Sequence, residues 1–488
     1  MVFHLAEYAF HMVGVALVVA VFYSTYSVLT NPISKVPGPW YSKWTDLVAR
    51  YHYFTGQKVF YVHGLHKRYG PYVRVGPKEV AVADLDALKT IYSTKETFLK
   101  TPFYRHLTAQ PVASVFSTTD VDDHRRIRRL MAAQMSESSL KWLIPTVTSR
   151  VELAIQRMKE ELQTRDLVDV FKWGLFMSTD VIGELAFGES FRMLENGEKN
   201  QYIRDLEGLS SVGAVRVSFP TLIALAQKYP LPVFKKTMQQ ARRMIDYSIQ
   251  SLERYKTYVE ANPEMAQQTF FTKMFKANED EKVSFSEIVI NAQSFIIAGS
   301  DTTAHSLTYL IWSICRRPEL RDVLVTEVQT LPEGFTEHDL RGLPFLNQCI
   351  EETLRLYSAA PAALPRAVPP CGADLGGYWF PGGTSVATQA YTMHRDPDIF
   401  PNPDKFDPYR WAAPTKQMKE AFMPFGRGPR ICIGLHLAYI ELRLATARFF
   451  QEFPTAYVSK REGMSDEDMA ETIYFLMSPK GKRCLIEA

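Results

Sequence analysis

Cysteine is scarce and unpaired in this sequence. Cys315, Cys349, Cys371, Cys432 and Cys484 are an odd number, widely separated, and no C-x-x-C occurs. That excludes a zinc or iron–sulfur scaffold built on paired cysteines and agrees with free thiols in a reducing compartment. Excess charge of either sign is also lacking. With 56 basic against 53 acidic residues and a formal net charge of +3, the chain has no broad electrostatic footprint for nucleic acid, and no nucleic-acid partner is expected. There is no G-x-G-x-x-G following a strand and no P-loop, so no nicotinamide or nucleotide site of its own is expected. Past residue 40 there is neither an internal repeat nor a low-complexity linker, and one large mixed domain is the simplest organisation.

What is present begins with a hydrophobic run. From Tyr8 to Leu29 the only ionisable side chain besides tyrosine is that of His11, and the centre reads Val13-Gly14-Val15-Ala16-Leu17-Val18-Val19-Ala20-Val21-Phe22. A bilayer core needs about 20 helical residues, so residues 1–30 are expected to be a single-pass membrane anchor. No basic stretch precedes it, which disfavours a cleaved leader. Lys35, Lys43 and Arg50 follow it, which by the positive-inside rule puts the rest of the chain in the cytosol. Residues 31–40, Asn31-Pro32-Ile33-Ser34-Lys35-Val36-Pro37-Gly38-Pro39-Trp40, read as a stiff proline-rich hinge, and 41–488 as the globular domain.

Tyr72-Val73-Arg74-Val75, a Gly76-Pro77 turn and Val80-Ala81-Val82 predict a half-buried hairpin. Beyond this hairpin the chain is expected to be mostly helical. Ser284-Phe285-Ser286-Glu287 is a capping-box signature, and the apolar pattern runs on until Arg316-Arg317-Pro318 stops it. This helix of about 30 residues spans roughly 45 Å at 1.5 Å each. Its centre, Ala298-Gly299-Ser300-Asp301-Thr302-Thr303, is poor helix sequence. A costly sequence at the middle of a long buried helix suggests a site.

The second unusual stretch is Pro424-Phe425-Gly426-Arg427-Gly428-Pro429-Arg430-Ile431-Cys432-Ile433-Gly434, leading into a helix from Leu435 to Phe450. Glycines permit a tight turn and close approach of a flat ligand, and the helix start offers unpaired N–H groups that favour a thiolate. An isolated apolar cysteine is usually inert core. This loop argues for a ligand instead.

Phe425-Gly426-x-Gly428-x-Arg430-x-Cys432-x-Gly434 resembles the haem-ligand loop of the cytochrome P-450 superfamily at every defining position, and the likeness runs in order over nearly the whole chain. It implies a mainly α fold with small β-sheets, a single large helical domain, and haem b (iron protoporphyrin IX) held by Cys432 as axial iron ligand. Phe425 and Gly426 belong to the same cofactor-binding loop. Glu352-Thr353-Leu354-Arg355 could be an ordinary helix pair worth about 0.2–0.5 kcal/mol. Together with Arg410 in Phe406-Asp407-Pro408-Tyr409-Arg410-Trp411, Glu352 and Arg355 resemble the family's structural Glu-Arg-Arg network. His124 and Arg128, four apart on one helix face, could be part of a solvated basic face. The resemblance makes them haem-propionate contacts, with Arg366 and Arg430, and turns Arg125, Arg126 and Arg129 outward.

A thiolate ligand favours O–O cleavage of dioxygen, the expected co-substrate. Thr302 resembles the family's oxygen-side hydroxyl and Asp301 the acid that feeds it protons. Electrons must come from NADPH through an external membrane-bound flavoprotein reductase, steered by the outward arginines. The resemblance lines a substrate pocket with the loop Thr101 to Ser117, with Phe295, Ile297, Ala298 and Thr302, with Ala360 to Leu364 (Ala363 and Leu364 above all), and with Leu476 in the turn Phe475 to Met477. These residues are largely apolar, as ligand pockets tend to be. The apolar segment Val215 to Phe234 suits a lid at the bilayer surface. The expected activity is a monooxygenase of the endoplasmic reticulum membrane, catalytic domain in the cytosol, acting on a lipophilic terpenoid or aromatic polyketide. The helix-centre motif and Thr392-Met393-His394-Arg395-Asp396-Pro397 resemble filamentous-fungal members serving mycotoxin-type secondary metabolism. Two alternatives share the fold: a reductase-independent haem-thiolate isomerase or dehydratase, whose members tend to lose the Asp301–Thr302 pair, and a non-catalytic haem- or lipid-binding membrane protein.

Overall fold

The computed structural model describes residues 2–488 except 109, 111, 133, 137, 138, 140, 142, 211, 229–234, 262–268, 281 and 333, and for 1–10, 13, 17, 210, 222, 226 and 227 it describes no side chain. The fold is mainly helical with small sheets. Its centre is the helix Phe285–Cys315, 31 residues long, begun by the expected capping box: Glu287 N–H donates to Ser284 Oγ (3.2 Å) and Ser284 N–H to Glu287 Oε2 (2.8 Å). It ends where Pro318 opens the next helix. Packed most intimately against it is the helix Val170–Phe187, buried along nearly its whole length. Asp169 caps that helix by accepting from the Phe171 and Lys172 N–H groups (3.1 and 3.3 Å).

Gly299 shows why the two helices can meet so closely. A Cβ there would lie 2.7 Å from Ile182 Cγ1, so only glycine admits the neighbouring helix. One turn is reinforced from outside, because Ser178 Oγ donates to the Ser300 carbonyl at 2.6 Å. Close packing and this bond offset part of what Gly299, Ser300 and Asp301 cost as helix formers.

A second hydrophobic cluster surrounds a five-stranded sheet. Its order is Tyr72–Gly76, Glu79–Val82, Ser385–Ala387, Arg366–Ala367 and Leu99–Lys100, antiparallel except for the parallel pair Glu79–Val82 and Ser385–Ala387. The predicted hairpin is therefore present, but all five residues of Tyr72–Gly76 are buried rather than alternate ones. Arg74 explains the difference. Its guanidinium, buried, donates to the carbonyls of Ser34 (3.2 Å), Val36 (2.5 Å) and Pro39 (3.2 Å) and to Ser42 Oγ (3.1 Å). Ile33 and Val36 enter the same core, so the proline-rich segment lies against the sheet.

Residues Val2–Thr30 form one helix of 29 residues. Among the described residues, no helix is long and apolar enough to cross a membrane, so the expected spanning segment is present as a helix without being shown to be a span. Of the segment from Val215 to Phe234, helices Val212–Ser218 and Pro220–Lys228 are described and 229–234 lie outside the described residues.

Candidate active site

The cysteine loop is built from local constraints. Gly426 and Gly428 both have positive φ (73° and 70°), and a Cβ on Gly428 would lie 2.3 Å from the Tyr92 carbonyl oxygen, so no other residue fits there. Cys432 N–H donates to the Phe425 carbonyl (2.9 Å) and Ile431 N–H to the Gly428 carbonyl (3.0 Å), closing the loop on itself. The helix Leu435–Glu452 starts three residues after the cysteine. Burial pushes the Cys432 thiol up, while the Gly434 N–H and the Arg128 charge pull it back towards thiolate. Protein surrounds Cys432, yet its side chain is exposed. It therefore borders an interior space.

The long helix has the same property at its middle. Ala298 is exposed, and Ile297, Gly299, Asp301 and Thr302 are half-exposed, between turns that are buried on both sides. Phe295 is not part of that open face. It is buried against Phe270 and Phe271, with ring centroids 6.0 and 5.5 Å away, and Ser294 is the half-exposed residue one turn before Ala298. Thr302 Oγ1 donates to the Ala298 carbonyl at 2.5 Å. Burial raises the Asp301 carboxyl to about 6, and the nearby Glu207 charge adds to the effect.

Further lining comes from several elements. Leu364 Cδ1 lies 3.6 Å from where a Cβ on Gly426 would sit, which brings the Ala363–Leu364 segment to the cysteine loop. Phe475, beside the half-exposed Leu476, packs against Phe103 (6.1 Å) and edge-on to Phe116 (5.7 Å). Two buried polar groups of the long helix fasten the loop before His124: Asn291 Oδ1 accepts from Val115 N–H (2.8 Å), and Gln293 Oε1 accepts from Gln110 Nε2 (2.7 Å).

Beside this space lies a buried cluster of cations. Lys100 and Arg366 are direct register partners across the sheet, an arrangement of like charges that costs stability unless something compensates. Arg128 Nη1 donates to the Ile431 carbonyl (2.9 Å), fixing its helix to the cysteine loop. Arg366 donates to Tyr104 Oη (2.7 Å). Arg430 pairs with Glu96 and donates to the carbonyls of Thr118 (3.1 Å) and Asp120 (3.2 Å). His124 is buried with Nδ1 unpartnered, and burial, then the Arg430, Arg128 and Lys100 charges, push it down to about 3. The Lys100 ammonium is held well below its ordinary value by burial and by Arg366 and Arg430; it donates to the Phe116 carbonyl (2.5 Å). Among the described residues, the four cations Lys100, Arg128, Arg366 and Arg430 face the single carboxylate of Glu96, and the cluster lacks negative charge. Sequence reasoning misses Lys100 and Glu96 and has Tyr104 only as part of the pocket loop Thr101 to Ser117, although a lysine inside Phe98-Leu99-Lys100-Thr101-Pro102-Phe103-Tyr104 is an oddity that marks the spot.

Glu352, Arg355 and Arg410 come together in one buried network. Arg355 Nε and Nη2 each donate to Glu352 at 2.8 Å, Arg410 Nε at 3.0 Å, and Trp411 Nε1 and Asp407 N–H complete the carboxylate's partners (3.0 and 2.8 Å). Of the three arginines expected to face outward, Arg125 and Arg129 are exposed. Arg126 is half-buried, bridging Asp123 and Glu287.

The cytochrome P450 family profile matches residues 37–485. The chain is 49% identical over 477 residues to the cytochrome P450 monooxygenase tazI of Aspergillus terreus, covering 97% of this chain and 98% of that one. It is 42% identical over 486 residues to the cytochrome P450 monooxygenase orf2 of Aspergillus niger, covering 99% of each. To the cytochrome P450 monooxygenase aflV of Aspergillus parasiticus it is 33% identical over 477 residues, covering 94% of this chain and 91% of the other. The chain belongs to the cytochrome P450 family and is a monooxygenase that uses haem and dioxygen, with electrons from NAD(P)H delivered through a reductase.

Proposed function

We propose that this monooxygenase hydroxylates or otherwise oxidises a lipophilic terpenoid or polyketide of mycotoxin-type fungal secondary metabolism, using an NADPH-dependent flavoprotein reductase at the endoplasmic reticulum membrane. The observation that carries the proposal is the open sulfur of Cys432 next to a cation cluster short of negative charge. Haem b fits both. Cys432 would hold the iron, Phe425 and Gly426 would belong to the loop that binds the cofactor, and Arg128, Arg366, Arg430 and His124, with Lys100, would receive the propionates through charge-assisted hydrogen bonds. Glu352, Arg355 and Arg410 would lock the segment that leads into the loop. When bound, the haem supplies reductive activation of dioxygen.

The chain's own part is positioning and proton supply. Asp301, raised to about 6, exchanges its proton with solvent near neutral pH, and the Thr302 hydroxyl, both donor and acceptor, passes that proton into the pocket. Ile297, Ala298, Ala363, Leu364 and Leu476, backed by the rings of Phe103, Phe116 and Phe475, exclude water and favour an apolar substrate.

Membrane attachment is supported by the apolar Val2–Thr30 segment and by a second surface. Trp40 (76% exposed), Leu47 (64%) and Tyr51 (65%) lie on the stretch that Arg50 ties to the Ser218 carbonyl, and Phe54 stacks on the exposed Phe219 at 5.6 Å. Aromatic residues of this kind suit the bilayer interface. Reconstitution with reductase and NADPH tests the activity. Asp301→Asn is expected to bind haem normally yet to oxidise substrate about a hundredfold more slowly, and to lose the decline in wild-type kcat as pH rises through about 6. Equal rates and equal pH profiles would refute the proton role.

A further inference from the structure

A half-buried carboxylate with no part in the oxygen chemistry proposed above bonds to the helix that follows the cysteine loop. Glu351 neighbours Glu352 on the helix Pro344–Leu356, but the two carboxylates take different partners. Its Oε1 accepts a hydrogen bond from Tyr439 Oη at 3.0 Å. Tyr439 lies on the helix that follows the cysteine loop, and its ring centroid is 5.4 Å from that of Phe425. The Phe425 carbonyl in turn accepts the Cys432 N–H at 2.9 Å. A chain of direct contacts therefore runs from Glu351 through Tyr439 and Phe425 to the backbone of Cys432.

We propose that Glu351 is a positioning residue for the thiolate loop, acting through Tyr439 on Phe425 and so on the orientation of Cys432. The inference rests on Cys432 being the axial ligand. The charged groups around Glu351 are few. Arg443 lies on the Tyr439 helix with its guanidinium 5.2 Å from that ring's centroid, and its hydrogen bonds go to Asn347 Oδ1 (2.8 Å) and Glu337 Oε1 (3.0 Å). Glu337 is also paired with Arg341, and Glu352 is committed to Arg355 and Arg410. Burial lifts the Glu351 carboxyl to about 7, against the pull of Tyr439 and Arg443, so both ionisation states are populated near neutrality. The ionised form accepts the tyrosine hydrogen bond more strongly. The phenol itself stays protonated, because burial and the Glu351 charge push it far up.

The test uses the haem-loaded full chain and its Glu351→Gln and Tyr439→Phe variants, followed by the ferric Soret spectrum and the reduction potential on either side of neutral pH. The wild type is expected to show a shift in both with a midpoint near 7. Each variant should keep its haem and its thiolate-type carbonyl spectrum but lose that shift, while Glu351→Asp restores part of it. A wild-type pH profile in both variants would overturn the proposal, as would a wild type with no shift, leaving the pair as helix packing only. If Glu351→Gln does not fold, Tyr439→Phe alone decides. Failure of the axial-ligand assignment is distinguishable, since the wild type would then lack the thiolate-type band altogether.

Discussion

Glu352→Gln isolates the buried network behind the cysteine loop. Glu352 and Arg355 are both fully buried, and the carboxylate accepts from Arg355 twice, from Arg410, from Trp411 and from the Asp407 backbone. Glutamine keeps the shape but removes the charge and turns an amide towards donors. Arg355 then keeps the carbonyls of His394, Pro403 and Lys405 and at most one of its two bonds to residue 352, because the amide NH2 that replaces one carboxylate oxygen cannot accept. Breaking one partner of a buried ion pair costs about 3–5 kcal/mol, against a net stability of about 5–15 kcal/mol for a typical fold. The variant should therefore lose a large fraction of its stability and release haem early in a denaturant titration followed at the Soret band. Glu351→Gln is the control, since that carboxylate sits one residue away but is only half-buried with one phenol partner. If Glu352→Gln costs less than about 1 kcal/mol, the network behaves like a surface ion pair and the reasoning from burial is wrong.

The cation cluster gives a prediction of opposite sign for the two forms of the protein. Because the Lys100 ammonium is held below its ordinary value, the folded apoprotein binds fewer protons than the unfolded chain, so its stability rises with pH. Lys100→Met should stabilise the apoprotein by about 1–3 kcal/mol and flatten that rise, while weakening haem binding about tenfold through a lost charge-assisted bond; calorimetry and haem titration would show both. Arg125→Glu with Arg129→Glu should slow electron transfer from the reductase without altering the haem spectrum, measured by stopped-flow reduction; unchanged kinetics would exclude that face as the docking surface. Arg126 is unsuited to the same test, because its reversal would also break the bridge to Asp123 and Glu287.

Features legible in the sequence are those fixed by local chemistry. The capping box at Ser284, the proline after Arg317, the turn between the first two strands and the glycine spacing before Cys432 each depend on a few consecutive residues, and each lies where expected. The features that escape sequence reading depend on approach across the fold. Lys100 joins the cation cluster because its strand pairs with Arg366, and Glu96 reaches Arg430 from 334 positions away. No periodicity reports such a distance. Phe295 carries the right polarity for a pocket wall, but Phe270 and Phe271 draw it into the core. The proline-rich segment looks like a spacer until the buried Arg74 is seen to hold its carbonyls.

The axial assignment of Cys432 supports every other step. Its most direct test is the difference spectrum of reduced, carbon monoxide-treated membranes carrying wild type or Cys432→Ser. The wild type should show a thiolate-type Soret band that the serine variant lacks. A wild type that binds haem without that band, or a serine variant that keeps it, would contradict the assignment and the oxygen chemistry built on it.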